Sequence, residues 1–113
     1  MFDHRWSASE KKIARRAYDA ALERALEKVV ADFKASAAAA TTPAEVWDIC
    51  DELSRKRREI DRTFDYRYSQ LPLVFALLIQ DGLLEPAQLD GLSEEKIDDI
   101  QRLVAWHRKR SGD

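Results

Sequence analysis

The residues able to do acid–base or nucleophilic work are few in this chain and poorly placed for it. Its two histidines, His4 and His107, stand near opposite ends with no Cys or carboxylate at metal-ligand spacing around them. The one cysteine, Cys50, has no His at a helical neighbour position to take its proton, and such a thiol reads as a small buried hydrophobe. No Gly-rich phosphate loop, HExxH pair or GxSxG elbow occurs. The many Asp and Glu residues are interleaved with Lys and Arg at helical spacing, where surface pairing accounts for them without paired acid–base catalysis. The chain is therefore expected to recognise another molecule rather than transform one, with no cofactor, metal or small-molecule substrate.

The densest cationic run, Arg55-Lys56-Arg57-Arg58, would in isolation point to nucleic acid. Asp51, Glu52, Glu59, Asp61 and Asp65 surround it, and Asp51 with Arg55 and Glu52 with Lys56 fall at i,i+4 in the favourable order. A solvated face is the better reading. The formal net charge of −2 leaves no long-range field to gather nucleic acid or anionic lipid, so neither is an expected partner. The first residues, Met1-Phe2-Asp3-His4-Arg5-Trp6, lack the apolar core of a secretory signal, which makes the cytoplasm the expected compartment. The longest apolar run, residues 71–79, is far short of the ~20 residues of a membrane span.

The elements that carry these residues read as helices. Gly and Pro contribute three residues each, so long uninterrupted helices are allowed, and 113 residues suit one domain. Ser7-Ala8-Ser9-Glu10 has the form of a capping box, and Ile13, Ala17, Leu22, Leu26, Val29, Val30 and Phe33 follow at spacings of three and four. The spacing predicts a helix from about residue 8 to 38, roughly 45 Å long and too long to be enclosed by a domain of this size. Leu22, Leu26, Val29 and Phe33 form a short coiled-coil seam that needs a partner helix. Thr42-Pro43-Ala44-Glu45 is a second capping signal, with a tight connection over residues 35–41 ahead of it, so the first two helices are expected to form an antiparallel hairpin over residues 8–66.

A small helical head over residues 69–110 completes the single unit, residues 1–113. Ser69 is expected to cap a third helix with Pro72 in its first turn and Gly82 at its end, apolar all round and central to the head. A helical turn near residues 86–89 and a last helix capped by Ser93 and carrying Ile97, Ile100, Leu103 and Val104 close over it.

The second helix is the informative one. At about 100° per residue Val46, Cys50, Leu53, Ile60 and Phe64 share a stripe roughly 80° wide, with Arg57 in its middle. A guanidinium there needs a carboxylate, from Asp61 one turn on or from a second chain. Trp47 lies about 100° off the stripe, near Asp51, Arg58 and Asp65. It is either an interface hot spot or a cover for the neighbouring helix.

At these residues the sequence resembles the fluorescence recovery proteins of cyanobacteria and their relatives. The likeness is carried by Trp47, Asp51, Leu53, Lys56-Arg57, Glu59-Ile60-Asp61, Asp65, Arg67 and Ser69, then by Val74-Phe75-Ala76, Leu78 and Gly82-Leu83, and more weakly from Trp6-Ser7 to Leu103. The resemblance implies an all-α homodimer of long helical hairpins. It also implies a non-catalytic protein that docks on the C-terminal domain of light-activated orange carotenoid protein, or on another protein in a relative with a changed partner. The action that the resemblance implies is to speed the return of that pigment protein to its orange resting form, which ends quenching at the phycobilisome. On this resemblance Trp47, Asp51, Arg57 and Leu73 are the expected partner-binding residues. Leu26, Val30, Phe33, Val46, Trp47, Cys50, Leu53 and Arg57 are the expected dimer interface. Cys50 stands where His is usual in the family, Leu73 where an aromatic is usual, and Asp99 where Lys is common.

Overall fold

The structure, a computed structural model, describes residues 5–110. His4, and with it Met1 to Asp3 of the opening run, lies outside them. All regular elements among the described residues are helical: α1 (Ala8–Ala39), α2 (Pro43–Thr63), α3 (Leu71–Gln80), a 3-10 turn (Pro86–Leu89) and α4 (Glu94–Arg110).

Both hairpin starts form where local chemistry places them. The Ser7 hydroxyl accepts from the Glu10 amide at 3.1 Å and the Glu10 carboxylate accepts from the Ser7 amide at 3.0 Å. At α2 the Thr42 hydroxyl accepts from the Glu45 amide at 3.2 Å. The Glu45 carboxylate does not return to the Thr42 amide and instead takes the amide of Thr41 at 3.4 Å and both threonine hydroxyls, so this cap is only half a capping box. The connection is shorter than residues 35–41, because the alanines, the best helix formers, carry α1 on to Ala39.

α2 ends at Thr63, three residues before the expected Tyr66. The reason is a change of period: Phe64, Tyr66 and Tyr68 alternate with Asp65 and Arg67, a two-residue repeat that suits extended chain. Asp65 and Arg67 pair with each other at 2.5 Å, while Tyr18 of α1 meets Phe64 and Tyr66 edge-on at centroid distances of 5.4 and 4.8 Å. The Arg15 guanidinium lies 3.7 Å over the Tyr66 ring. Burial pushes the Tyr66 hydroxyl up to about 12, so it stays protonated. The chain then turns at Arg67, whose carbonyl accepts from the amides of Gln70 and Leu71. That turn replaces the expected Ser69 cap: Gln70 holds the cap position and makes no side-chain capping bond.

The head forms around α3. Phe75, Leu71, Leu78 and Leu89 are fully buried, with Val74, Ala76, Leu84, Leu92 and Ile100 around them. The face that α1 gives to this core is Ala14, Ala17, Tyr18 and Ala21, continued by the buried Ala25, whereas Ile13 and Leu22 pack at its edge. Small side chains let α1 come close to its neighbours. The head core therefore draws on the first half of α1 as well as on residues 71–104. Gly91 sits where this closure is tightest: its φ is +105°, and a Cβ built there would lie 2.5 Å from Ile13 Cδ1. Gly91→Ala is expected to cost about 2 kcal/mol through backbone strain and that clash, read as a lower urea midpoint at unchanged m-value.

The far half of the hairpin is another matter. The radius of gyration is 16.7 Å, against about 13 Å for a compact domain of this length, and the long axis is 53 Å. α2 contains no buried residue at all. Its 21 residues are thus held in a single chain by caps, ion pairs and one partly covered side.

Candidate protein-docking site

α1 and α2 run antiparallel with a cleft of about 600 Å³ between them. Val29 and Phe33 of α1 and Ile49, Leu53 and Ile60 of α2 line it, and Lys28, Asp32, Glu52, Lys56 and Glu59 stand at its rims. Asp81 closes the head end, its carboxyl raised above the ordinary aspartate range by burial first and by Glu59 second. No His or Cys lines the cleft, and among the described residues no group of three or more His, Cys, Asp or Glu is placed to hold a metal ion. No helix among them is long and apolar enough to cross a membrane.

Each helix carries more apolar surface than the other covers. On α1 the expected seam splits: Val29 and Phe33 turn to the cleft, while Leu22, Leu26 and Val30 line a separate groove on the outer side. Five of the seven large hydrophobics left exposed among the described residues belong to this part of the hairpin: Leu26, Val30, Phe33, Val46 and Trp47. Trp47 is 65% exposed, so it does not serve as a cover for α1. Cys50 is exposed rather than buried, because it lies on the side of α2 that faces away from α1. Arg57 is exposed too and has no ion pair among the described residues, Asp61 included. An exposed position in the single chain does not require the carboxylate partner that the apolar stripe implied. Asp51 is exposed beside them and Leu53 half-buried, whereas Leu73 sits half-buried on α3 in the head, apart from the hairpin group.

Arg55 and Lys56 of the cationic run are paired, with different partners from those expected. Arg55 clamps Glu52 at 2.5 Å and Glu59 at 2.7 Å, and Lys56 lies 3.8 Å from Glu59. Those contacts hold the Glu52 carboxyl below its usual range. On the head Asp99 is paired with Arg102 one turn on, so a cation caps the carboxylate.

One polar cluster has no counterpart in the sequence reading. Glu10 and Lys96 are both buried, and the Lys96 ammonium lies 3.2 Å from each Glu10 oxygen. The one signal for it in the sequence is Lys96 itself, a cation in the first turn of α4 where the helix dipole disfavours one.

A helical fold with a protruding hairpin and one broad exposed apolar and charged face has the surface composition of a protein-contact region. Comparison with known sequences and structures narrows this. The chain belongs to the fluorescence recovery protein family, photoprotection regulators whose sequence profile matches residues 6–104. It is 35% identical to the fluorescence recovery protein of Synechocystis sp. PCC 6803 over 99 residues, 88% of this chain and 91% of that one. Its fold superposes on the solved fluorescence recovery protein of Fremyella diplosiphon with a TM-score of 0.84 at 36% identity, covering 88% and 97% of the two chains. For the Synechocystis structure the values are 0.86 and 34%, covering 89% and 99%.

Proposed function

We propose that this chain is a dimeric cytoplasmic regulator that binds light-activated, red orange carotenoid protein and accelerates its return to the orange form, ending quenching at the phycobilisome. The carrying observation is the unpartnered face of the hairpin. Advancing about 100° per residue along two antiparallel helices, Leu26 and Phe33 of α1 and Val46, Cys50 and Arg57 of α2 point to one side, with Leu53 at its inner edge and Val30 at its outer. A second copy of the chain laid on that side by a two-fold axis covers all of them at once and brings Asp51 or Asp61 of one copy within reach of Arg57 of the other. Trp47, at the border of this face beside Asp51, is then left to anchor the pigment protein, with Leu73 on the head as a second contact. No bond is made or broken: tighter binding to the compact state lowers the free energy of reaching it.

The test is the dark recovery of photoactivated orange carotenoid protein, followed by visible absorbance with and without a stoichiometric amount of this chain. Acceleration supports the reading. Trp47→Leu is expected to keep helical content and dimer mass while losing at least nine-tenths of that acceleration, roughly the factor of ten that about 1.4 kcal/mol of lost anchoring brings. An unaltered rate with this variant would reduce Trp47 to a packing residue. A second reading, a dimer of the same fold with a different protein partner, is favoured by the aliphatic Leu73 and the Arg102-capped Asp99. A well-folded dimer with no effect on recovery selects it.

A further inference from the structure

The cleft between α1 and α2 opens on the side of the hairpin that the proposed contact between copies leaves free. At about 100° per residue Asp48, Glu52 and Glu59 flank its apolar floor on the side of α2 opposite Val46, Cys50 and Arg57. Lys28 and Asp32 hold the matching flank of α1, opposite Leu26 and Val30. The floor is covered only in part. Val29, Ile49, Leu53 and Ile60 stay half-buried, because two helices side by side leave an apolar furrow that a third element must fill.

The rim of this furrow is acidic. Asp32, Asp48, Glu52, Glu59 and Asp81 stand on it against two lysines, Lys28 and Lys56. Arg55 engages Glu52 and Glu59, whereas Asp32, Asp48 and Asp81 have no ion pair among the described residues. Both lysines draw the Asp81 carboxyl down, yet burial and Glu59 together outweigh them and raise it. Such a rim repels nucleic acid and anionic lipid. A second copy seated here by a two-fold axis would set the acidic rim of one chain on the same rim of the other, so self-contact is disfavoured as well.

From the half-covered floor and the acidic rim together we propose that this cleft receives a basic amphipathic helix of another protein. Apolar side chains of that helix, at i, i+3 or i+4 and i+7, lie on Val29, Ile49, Leu53 and Ile60, and Lys or Arg beside them meet Asp32 and Asp48. From Asp48 to Thr63 the cleft follows α2 for about 15 residues, roughly 23 Å or four helical turns, which is the length such a segment needs. The seated helix covers the side of α2 that α1 alone leaves half open. This reading does not depend on orange carotenoid protein being the protein regulated.

The probe is a fluorescein-labelled helical peptide about four turns long, with Leu on one face and Lys on the other, titrated with the full chain at low salt and followed by anisotropy. A counterpart with Glu in place of Lys is the control. Saturable binding of the Lys peptide at micromolar concentration is expected, with none of the Glu peptide. Ile49→Ala tests the floor and Asp32→Lys/Asp48→Lys the rim. Each is expected to weaken binding at least ten-fold, with circular dichroism and the mass from light scattering unchanged. No binding of the Lys peptide, equal binding of the two peptides, or affinities within two-fold of the parent for both variants overturns the proposal and leaves the recovery activity untouched. A mass of either variant that departs from the parent's assigns the cleft to contact between copies and overturns it too.

Discussion

Val30→Glu is expected to leave a folded monomer. Val30 is 51% exposed in the single chain and belongs to no part of the head core, so a glutamate there meets water in the monomer and costs the helix almost nothing. In the proposed dimer the same side chain would lie in an apolar seam and lose its water or take up a proton, at about 2 kcal/mol per chain. The two-fold axis counts the cost twice, giving about 4 kcal/mol, or roughly a thousand-fold in the dissociation constant. Light scattering coupled to size exclusion at micromolar concentration is expected to return the monomer mass, against the dimer mass for the parent. A dimer mass for the variant would move the interface off this seam. Hydrogen exchange adds a second reading: because α2 has no buried residue in one chain, its amides are expected to exchange faster in the monomer while those of α3 are unchanged.

How far this architecture was legible in the sequence depends on how local each cause is. Capping signals span four residues, and both hairpin starts fall where Ser7 and Thr42 place them. The core face of α1 was harder, since periodicity weights large side chains while the head accepts the alanine stripe, and which of two adjoining stripes is buried is decided by α3 and the 3-10 turn. The extended Phe64–Tyr68 segment was hidden because no Gly or Pro marks the end of α2; only the two-residue aromatic period does, over five residues. On the candidate site the angular position of Trp47 leaves an exposed residue and a cover for α1 both open, and the structure takes the exposed one; Cys50 differs from the buried expectation because a residue type often buried elsewhere stands here on an uncovered side. Trp106 stands two residues beyond the apolar stripe that ends in Val104, so the periodicity of α4 does not mark it. The Glu10–Lys96 contact joins residues 86 apart, and no local rule predicts such a pairing.

That contact carries the largest expected effect on stability. Glu10 closes the cap of α1 through the Ser7 amide, and its other oxygen accepts from the Ser93 amide at 2.9 Å, at the start of α4. Lys96 in turn donates to the Arg5 carbonyl at 2.6 Å and sits 5.0 Å from the centre of the Trp6 ring. One carboxylate thus fastens the starts of the first and last helices. Burial alone would raise its pKa, but the two amides and the ammonium outweigh that and hold it at about 2, against 4.5 for a free glutamate. Since the folded value is the lower one, the stabilisation is complete above about pH 4.5 and is lost as the pH falls from there through 2. Glu10→Ala leaves the Lys96 ammonium buried without its anion and is expected to cost about 3 kcal/mol at pH 7, a fall of roughly 12 °C in Tm. Urea unfolding at one fixed protomer concentration, which keeps any contribution of self-association constant, is expected to show that gap narrowing steadily between pH 4.5 and 2. Glu10→Ala/Lys96→Met is expected to be more stable than Glu10→Ala alone, because it removes the orphaned charge as well. A gap independent of pH, together with no recovery in the double variant, would mean that Glu10 acts through packing and its two capping bonds rather than through its charge.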